Sequence, residues 1–245
     1  MFTSANLNGK SIIMNSDPIV IVGAARTPMG GLNGDLRTVC ASELGSTAIA
    51  EAINRAGITS DDVEDVVMGV VLAAGQGQAP ARQATLGAGI PSHIGATTIN
   101  KMCGSGMKSI MFACDNILAG SHNVMVAGGM ESMSNAPYLL PNVRDGMRMG
   151  HGEVKDHMFL DGLEDAFERG TLMGAYAEAT AQHYQFTRQA QDEFALRSLS
   201  RAKAAIDDGT FEKEIASVLV KSRKGNVWLI RMSNLAMLFQ KKFQH

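Results

Sequence analysis

The stretch TTINKMCGSGMK, residues 97–108, changes from a strand pattern to a helix pattern within a few residues. Thr97–Asn100 is short and β-branched, which predicts a strand. Apolar residues then recur at three- and four-residue spacing and predict a helix from Gly104 to just before Gly120. We expect this apolar stripe to be buried. Its members are Met107, Ile110, Met111, Cys114, Ile117 and Leu118.

The same alternation of strand and helix continues on both sides of this stretch. Val63–Leu72 and Val124–Ala127 are apolar runs that predict strands, and Ile19–Gly23 predicts a strand buried on both faces. Helices are predicted from Glu43 to Gly57 and from Pro80 to Gly89. Four strands interleaved with three helices predict an α/β fold, with a mostly parallel sheet covered by helices on both faces.

Residues 136–170 lack periodicity and are rich in Gly and Pro, which indicates an irregular excursion. Two helices are predicted after it, over Met173–Tyr184 and Arg188–Asp208. Together these segments indicate an inserted, partly helical subdomain. We expect the second helix to bury a face formed by Ala195, Leu199, Ala202 and Ile206.

Composition excludes several classes of protein. The 245 residues are 45% hydrophobic without a membrane-length apolar run, and the net charge of −2 gives no basic surface for nucleic acid. Neither membrane nor nucleic acid is therefore an expected partner. Three cysteines do not suggest a disulfide framework or a metal site. The first sixteen residues fit neither a secretory signal nor an Arg-rich presequence, so we expect a cytoplasmic location.

Cys103 is the candidate nucleophile because it lies where the predicted strand meets the predicted helix. The positive end of a helix favours the reactive thiolate, and the neighbouring glycines leave room for an acyl group. The alternative is a small core residue. Cys40 shows no comparable context. None of the six histidines can be assigned as a base, and no dinucleotide or ATP loop is present.

Six ordered motifs resemble the thiolases, and specifically short-chain acetyl-CoA acetyltransferases. The resemblance covers about Asp17 to Gly225 and implies a thiolase-like fold, N-terminal half, with the inserted loop subdomain. The motifs are AARTP (24–28), GQGQAPARQ (75–83), NKMCGSGMK (100–108), VAGGMESMS (126–134), DGL (161–163) and QDEF (191–194).

The resemblance also implies residue roles. Cys103 matches the cysteine that accepts the acyl group from one acyl-CoA, which in the family converts two acetyl-CoA into acetoacetyl-CoA and CoA or the reverse. Leu163 and Met173 match positions that line the pantetheine channel, and Arg223 matches a basic residue near the nucleotide end of coenzyme A. Leu163 and Met173 could equally be packing residues, and Arg223 could equally be a surface charge. The thioester is the substrate, no cofactor or metal is implied, and a homo-oligomer in fatty acid metabolism is expected.

The sequence also departs from the family pattern. The family's Asn-Glu-Ala-Phe, Gly-His-Pro and second Cys-x-Gly motifs are missing, and Leu172 stands where many members carry His. We therefore expect the C-terminal half to be absent and the chain to be inactive alone. One alternative is a catalytically dead fragment that binds CoA or pairs with another subunit. Another is a ketosynthase-like member of the wider condensing family.

The predicted organisation has four parts. An N-terminal extension covers 1–16, an incomplete thiolase core 17–129, an inserted loop subdomain 130–225, and an atypical basic, apolar tail 226–245. No acidic residue follows Glu214. The tail resembles translation in an altered frame or a replaced terminus; the alternative is a genuine basic amphipathic segment for a partner or membrane surface.

Overall fold

A three-stranded parallel sheet forms the centre of the chain. In the computed structural model, which describes residues 18–222 and 225–232, its strands are β1 (Asp65–Gly69), β2 (Gly95–Ile99) and β3 (Met125–Gly129). The strand order is β2–β1–β3, so β1 pairs with both neighbours. The carboxyl ends of all three strands therefore meet at one edge of the sheet.

Three helices cover the two faces of this sheet. Helices α1 (Ala41–Ala56) and α2 (Pro80–Gly87) pack on one face, and α3 (Ser105–Leu118) packs against β1 and β3 on the other. Helix α1 ends at Gly57, whose φ of 68° is the left-handed conformation that glycine adopts most easily. The predicted α/β class, the parallel sheet and these three helices are confirmed.

The core lies between β1 and the helix pair α1 and α2. Val66 and Met68 project into it, where they join Ile49 and Ile53 of α1. Val67 alternates to the other face and is also buried, at 4% exposed. Burial on both faces explains why the sequence of β1 is a nearly continuous apolar run.

Helix α3 contacts the sheet through small residues, so the predicted burial of its apolar stripe is wrong. Ser105, Ser109 and Ala113 are its buried residues, and Ser109 donates a hydrogen bond to the Gly128 carbonyl oxygen at 2.8 Å. Large side chains would hold the helix away from the sheet. The stripe therefore turns outward: Met107, Ile110, Met111 and Leu118 are exposed, whereas Cys114 and Ile117 are half-buried.

The strand predicted over Ile19–Gly23 is also not formed. These residues are mainly exposed, and Val20, Ile21 and Val22 each exceed 60%. In the part of the chain that the structure describes, no strand pairs with them. The segment instead runs against α1, so close that a Cβ on Gly23 would lie 2.3 Å from the Ala52 carbonyl oxygen.

The insertion contains helices α4 (Met173–His183) and α5 (Arg188–Asp207), which confirm both predicted helices. The predicted buried face of α5 is wrong, because neither helix has a buried residue. Ala195, Leu199 and Ile206 are half-buried, and Ala202 is exposed. Along the chain, β4 (Tyr138–Leu139), β5 (Lys155–Asp156) and a π-helical turn over Phe159–Leu163 precede these helices. The hairpin of β6 (Val218–Ser222) and β7 (Gly225–Leu229) follows them.

Arg55 ties the end of the insertion to the start of the described chain. Its guanidinium donates hydrogen bonds to the carbonyl oxygens of Ala24 and Glu214, both at 3.0 Å. It is held in place by an ion pair with Glu51 at 2.6 Å. In addition, Val218 of β6 is buried in a small cluster with Leu36, Val39 and Leu44.

The predicted domain boundaries remain predictions. The extension over 1–16 and the tail beyond residue 232 lie outside the described residues, whereas residues 226–229 of the tail belong to β7. No helix within residues 18–222 and 225–232 combines the length and apolar character needed to cross a membrane.

Gly69→Ala should destabilise the fold, because the added Cβ would lie 2.6 Å from the Ser105 backbone. Overpacking of this kind costs about 1–3 kcal/mol. Urea unfolding should show the loss as a lower midpoint. Gly174→Ala is the matched control, since a Cβ there meets nothing within 4 Å. Equal midpoints for the Gly69 variant and the parent chain would contradict the close approach.

The 245-residue polypeptide should self-associate, because α3 presents its apolar stripe to water. Ile110→Glu should shift the population toward monomer, since it places a charge within the stripe. Asp115→Asn changes an exposed residue of the same helix outside the stripe and should leave association unchanged. Size-exclusion chromatography with light scattering measures this. A monodisperse monomeric parent chain would be the opposite result.

Candidate functional site

Cys103 lies in a tight turn between the end of β2 and the start of α3. Its side chain is exposed. The turn begins at Asn100, whose side-chain oxygen accepts a hydrogen bond from the Met102 backbone N–H at 2.8 Å. Met102 has a φ of 48°, a left-handed conformation that a side chain of this kind rarely adopts. The strained backbone places the next residue, Cys103, at the surface.

Ser105 holds the turn closed from within. Its hydroxyl accepts a hydrogen bond from the Lys101 backbone N–H at 2.8 Å and donates to the Met102 carbonyl oxygen at 2.6 Å. The residue is only 4% exposed. Because both bonds join backbone groups next to Cys103, they hold the backbone from which the thiol projects.

Helix α3 begins two residues after Cys103, with Gly104 as its N-cap. The first N–H groups of a helix lack intrahelical partners and form its positive end. The predicted location of Cys103 at a strand–helix junction is therefore where the structure places it. An exposed thiol in this position can accept an acyl group, but the structure does not test that role.

Glycines let this helix start sit directly on the carboxyl edge of the sheet. A Cβ on Gly129 would lie 3.1 Å from the Gly106 Cα, and the Gly69 position is tighter still. The backbone of α3 and the small side chain of Ser105 therefore lie directly against the ends of β1 and β3. The site is thus built on the central sheet.

The segment that follows β1, residues 70–77, lies beside the turn. The carboxylate of Glu131 accepts hydrogen bonds from the backbone N–H groups of Val71 and Leu72, at 2.9 and 3.1 Å. The side-chain amide of Asn100 donates to the Val71 carbonyl oxygen at 3.5 Å. These contacts connect the Cys103 turn, β3 and the segment.

Leu163 and Met173, the two predicted pantetheine residues, are brought together by the insertion. Glu164 and Leu172 form an antiparallel bridge, and the two residues flank it on the same side. Leu163 is half-buried and Met173 is 45% exposed. Gly162 packs against Leu72, since a Cβ there would lie 3.2 Å from that side chain. Their predicted role in binding remains untested.

The loop between these two residues is held by its own polar groups. Backbone N–H groups of Glu168 and Phe167 donate to the carboxylate of Asp165 and lower its pKa. Desolvation and a 2.9 Å hydrogen bond to Glu168 raise the pKa of Tyr176 to about 12. Near neutral pH Asp165 is therefore charged and Tyr176 is a neutral donor.

The remaining candidates differ in what the structure says of them. Arg223 lies outside the described residues, and its predicted contact with the nucleotide end of coenzyme A stays a prediction. Cys40 has more context than its sequence indicated, because it is the N-cap of α1. Its Sγ lies 3.2 Å from the Ser42 hydroxyl. No group of three metal-binding side chains occurs among residues 18–222 and 225–232.

Sequence reasoning missed two residues that organise this region, Glu131 and His157. His157 is 4% exposed, and its Nδ1 lies 2.6 Å from the Asp161 carboxylate. The four-residue spacing of His157 and Asp161 was a usable signal, because side chains at that spacing meet on one face of a helical turn. Glu131 offered none, since its partners lie about sixty positions earlier in the chain.

Comparison with known proteins gives one family match and many relatives. Residues 19–235 match the family model described as thiolase, N-terminal domain. An acetyl-CoA acetyltransferase of Cupriavidus necator is 49% identical over 208 residues, which are 85% of this chain and 53% of that protein. A mitochondrial acetyl-CoA acetyltransferase of Xenopus tropicalis is 50% identical over 84% of this chain and 48% of its own. The cytosolic acetyl-CoA acetyltransferase of Mus musculus is 48% identical over 86% and 52%. The chain spans about half the length of the curated relatives it matches.

Alkylation should distinguish the three cysteines. We expect iodoacetamide to modify Cys103 first at neutral pH, because its thiol is exposed whereas Cys40 and Cys114 are half-buried. Peptide mapping by mass spectrometry after short exposures measures the order. Cys103→Ser should remove the fast phase and Cys114→Ser should retain it. Faster labelling of Cys40 would remove the basis for choosing Cys103.

Proposed function

The chain belongs to the thiolase family through its N-terminal domain, and we propose that it is the acyl-accepting part of an acetyl-CoA acetyltransferase. The full reaction joins two acetyl-CoA into acetoacetyl-CoA and CoA, or runs in reverse. The observation that carries the proposal is the exposed Cys103 thiol, in a turn that Ser105 holds at the carboxyl edge of a parallel sheet. Relatives named for this activity are about 49% identical to the chain, which favours acyl transfer over CoA binding alone.

The proposed half-reaction is a thioester exchange at Cys103. The deprotonated sulfur attacks the thioester carbonyl carbon of acetyl-CoA, and a bond forms between that carbon and Sγ. The bond to the CoA sulfur then breaks, and CoA leaves as a thiolate that takes up a proton. The acetyl group remains on Cys103, and its transfer to a second acyl-CoA completes a ping-pong cycle.

Leu163, Met173 and Arg223 complete the proposed CoA site. The structure supports the pair Leu163 and Met173 by placing them on one side of the Glu164–Leu172 bridge, against the segment beside the Cys103 turn. Two apolar side chains at this position suit the uncharged pantetheine arm. Arg223 is proposed for the nucleotide end because a guanidinium pairs with phosphate through charge-assisted hydrogen bonds.

The setting of the reaction is proposed with it. The substrate is a CoA thioester, and the chemistry needs no metal or further cofactor. A homo-oligomer, a cytoplasmic location and a role in fatty acid metabolism are proposed from the family resemblance. Relatives carry both "cytosolic" and "mitochondrial" in their names, so the compartment needs a direct measurement.

Acetyl-CoA should acetylate Cys103 of the 245-residue polypeptide slowly, and the acetyl group should be visible by intact mass. Cys103→Ser should abolish the adduct, whereas Cys114→Ser should keep it. Steady-state thiolysis of acetoacetyl-CoA should be undetectable in the same preparation. The sequence contains no Gly-His-Pro or second Cys-x-Gly motif, and each general acid–base group of this kind contributes typically about 10²–10⁴-fold.

Three results would each contradict one part of this proposal: acetyl transfer to Cys103, the expected lack of turnover, or the choice of nucleophile. One is a folded chain that carries no acetyl group on Cys103 after prolonged exposure to acetyl-CoA. Another is steady-state thiolysis that Cys103→Ser abolishes, which would require a base within the 245 residues that the structure has not identified. Acetylation confined to Cys40 or Cys114 would refute the assignment of the nucleophile.

A further inference from the structure

His157 is a buried histidine that the proposed acyl transfer does not use. It follows β5 directly, and its backbone N–H donates to the Pro137 carbonyl oxygen at 3.2 Å. His157 is only 4% exposed, which is low for a residue whose side chain can carry charge. Two hydrogen bonds to the imidazole ring offset the cost of burying it.

The two ring bonds fix which nitrogen carries the proton. Ala74 donates its backbone N–H to Nε2 at 3.3 Å, and a backbone N–H cannot accept. Nε2 must therefore present its lone pair. The ring proton is on Nδ1 and is donated to the Asp161 carboxylate at 2.6 Å. The observed contacts require a neutral ring in one tautomer.

The Ala74 bond connects the insertion to residues 70–77, the segment beside the Cys103 turn. Near the β1 end of this segment, Glu131 binds Val71 and Leu72. Farther along, Gly75 lies close to Pro137, since a Cβ built on Gly75 would be 3.3 Å from the Pro137 side chain. The ring of His157, which lies in the insertion, thus accepts a hydrogen bond from Ala74 at the middle of the segment.

Charges near the ring come from the insertion and from β3, and none comes from the segment it holds. Residues 70–77 contain no titratable side chain. The π-helical turn contributes the carboxylate of Asp161, which lies 2.6 Å from Nδ1. The other titratable residues on the packed elements are Lys155 and Asp156 on β5, Tyr138 on β4, and Glu131 after β3. Of these, Asp156 is bonded to the Met158 N–H, and Glu131 to the segment backbone.

We propose that His157 and Asp161 form a proton-operated latch that holds residues 70–77 against the insertion and releases them when the ring is protonated. A proton on Nε2 places a donor against the Ala74 N–H, so that two donors face each other and the bond is lost. The released ring keeps its partner Asp161. Deprotonation of the ring therefore closes the latch, and protonation opens it.

Hydrogen–deuterium exchange of the 245-residue chain tests the latch without any assay of activity. Protection of the Ala74 amide, corrected for the intrinsic exchange rate, should be lower at pH 5 than at pH 8, because protonation of the ring removes the acceptor of this N–H group. A peptide covering residues 70–79, compared between pH 8 and pH 5, reports this loss of protection. A peptide covering 63–69 in β1 should keep its protection and serves as the control for folding.

Three variants separate the latch from a merely structural contact. His157→Gln offers an amide oxygen to the Ala74 N–H but does not titrate, so protection should become independent of pH. Asp161→Asn removes the charge that favours the protonated ring, so the loss of protection should move to lower pH. His151→Gln, at an exposed histidine six positions earlier, should retain the profile of the parent chain.

The latch would be refuted if the parent chain kept Ala74 protected across this range, or if His157→Gln showed the same pH dependence as the parent. If His157→Gln also lost protection in β1, the Asp161→Asn shift would decide, and no shift would overturn the proposal. Because acetylation of Cys103 is measured separately, failure of the latch leaves the proposed function standing. The reverse also holds.

Discussion

The near contact between the start of α3 and the carboxyl ends of β1 and β3 determines how the candidate site is built. Gly69, Gly106 and Gly129 meet there without side chains, and the Gly69 position would put a Cβ 2.6 Å from the backbone of Ser105. Because the helix is this close, Ser105 is buried and can bond both sides of the turn. The exposed thiol of Cys103 therefore rests on the rigid core even though it lies in a loop.

Backbone donors connect the site to the insertion. The segment after β1 has no polar side chain before Gln76. Its backbone N–H groups therefore need acceptors other than side chains of the segment itself. Glu131 accepts from two of them and His157 from a third. Glu131 lies just after β3 and His157 lies in the insertion, so two separate parts of the sequence hold this one segment. Loss of any one acceptor would leave a partly buried N–H group without its partner, a cost of about 1–3 kcal/mol.

Apolar surface remains exposed in two places that the sequence indicated would be buried. On α3 the stripe that includes Met107 and Ile110 faces away from the sheet, and the β-branched residues of Ile19–Gly23 lie open beside α1. The sequence patterns describe α3 correctly as an amphipathic helix and Ile19–Gly23 correctly as an apolar segment. They identify surfaces suited to burial, and the described residues do not cover them. Relatives about twice the length of the matched region show that the family builds its proteins from more chain than these residues.

The sequence by itself determined the α/β class, the five α-helices of the described residues to within a few positions, three of the four predicted strands, and the location of Cys103 between a strand and a helix. These features depend on local periodicity, on glycine and proline positions, and on motifs that are contiguous in the chain. Only the tertiary structure decided which face of α3 packs, because that depends on how close the sheet can approach. It alone also joined Leu163 to Met173 and gave His157 its partner Ala74, since these contacts bring together residues that no local pattern relates.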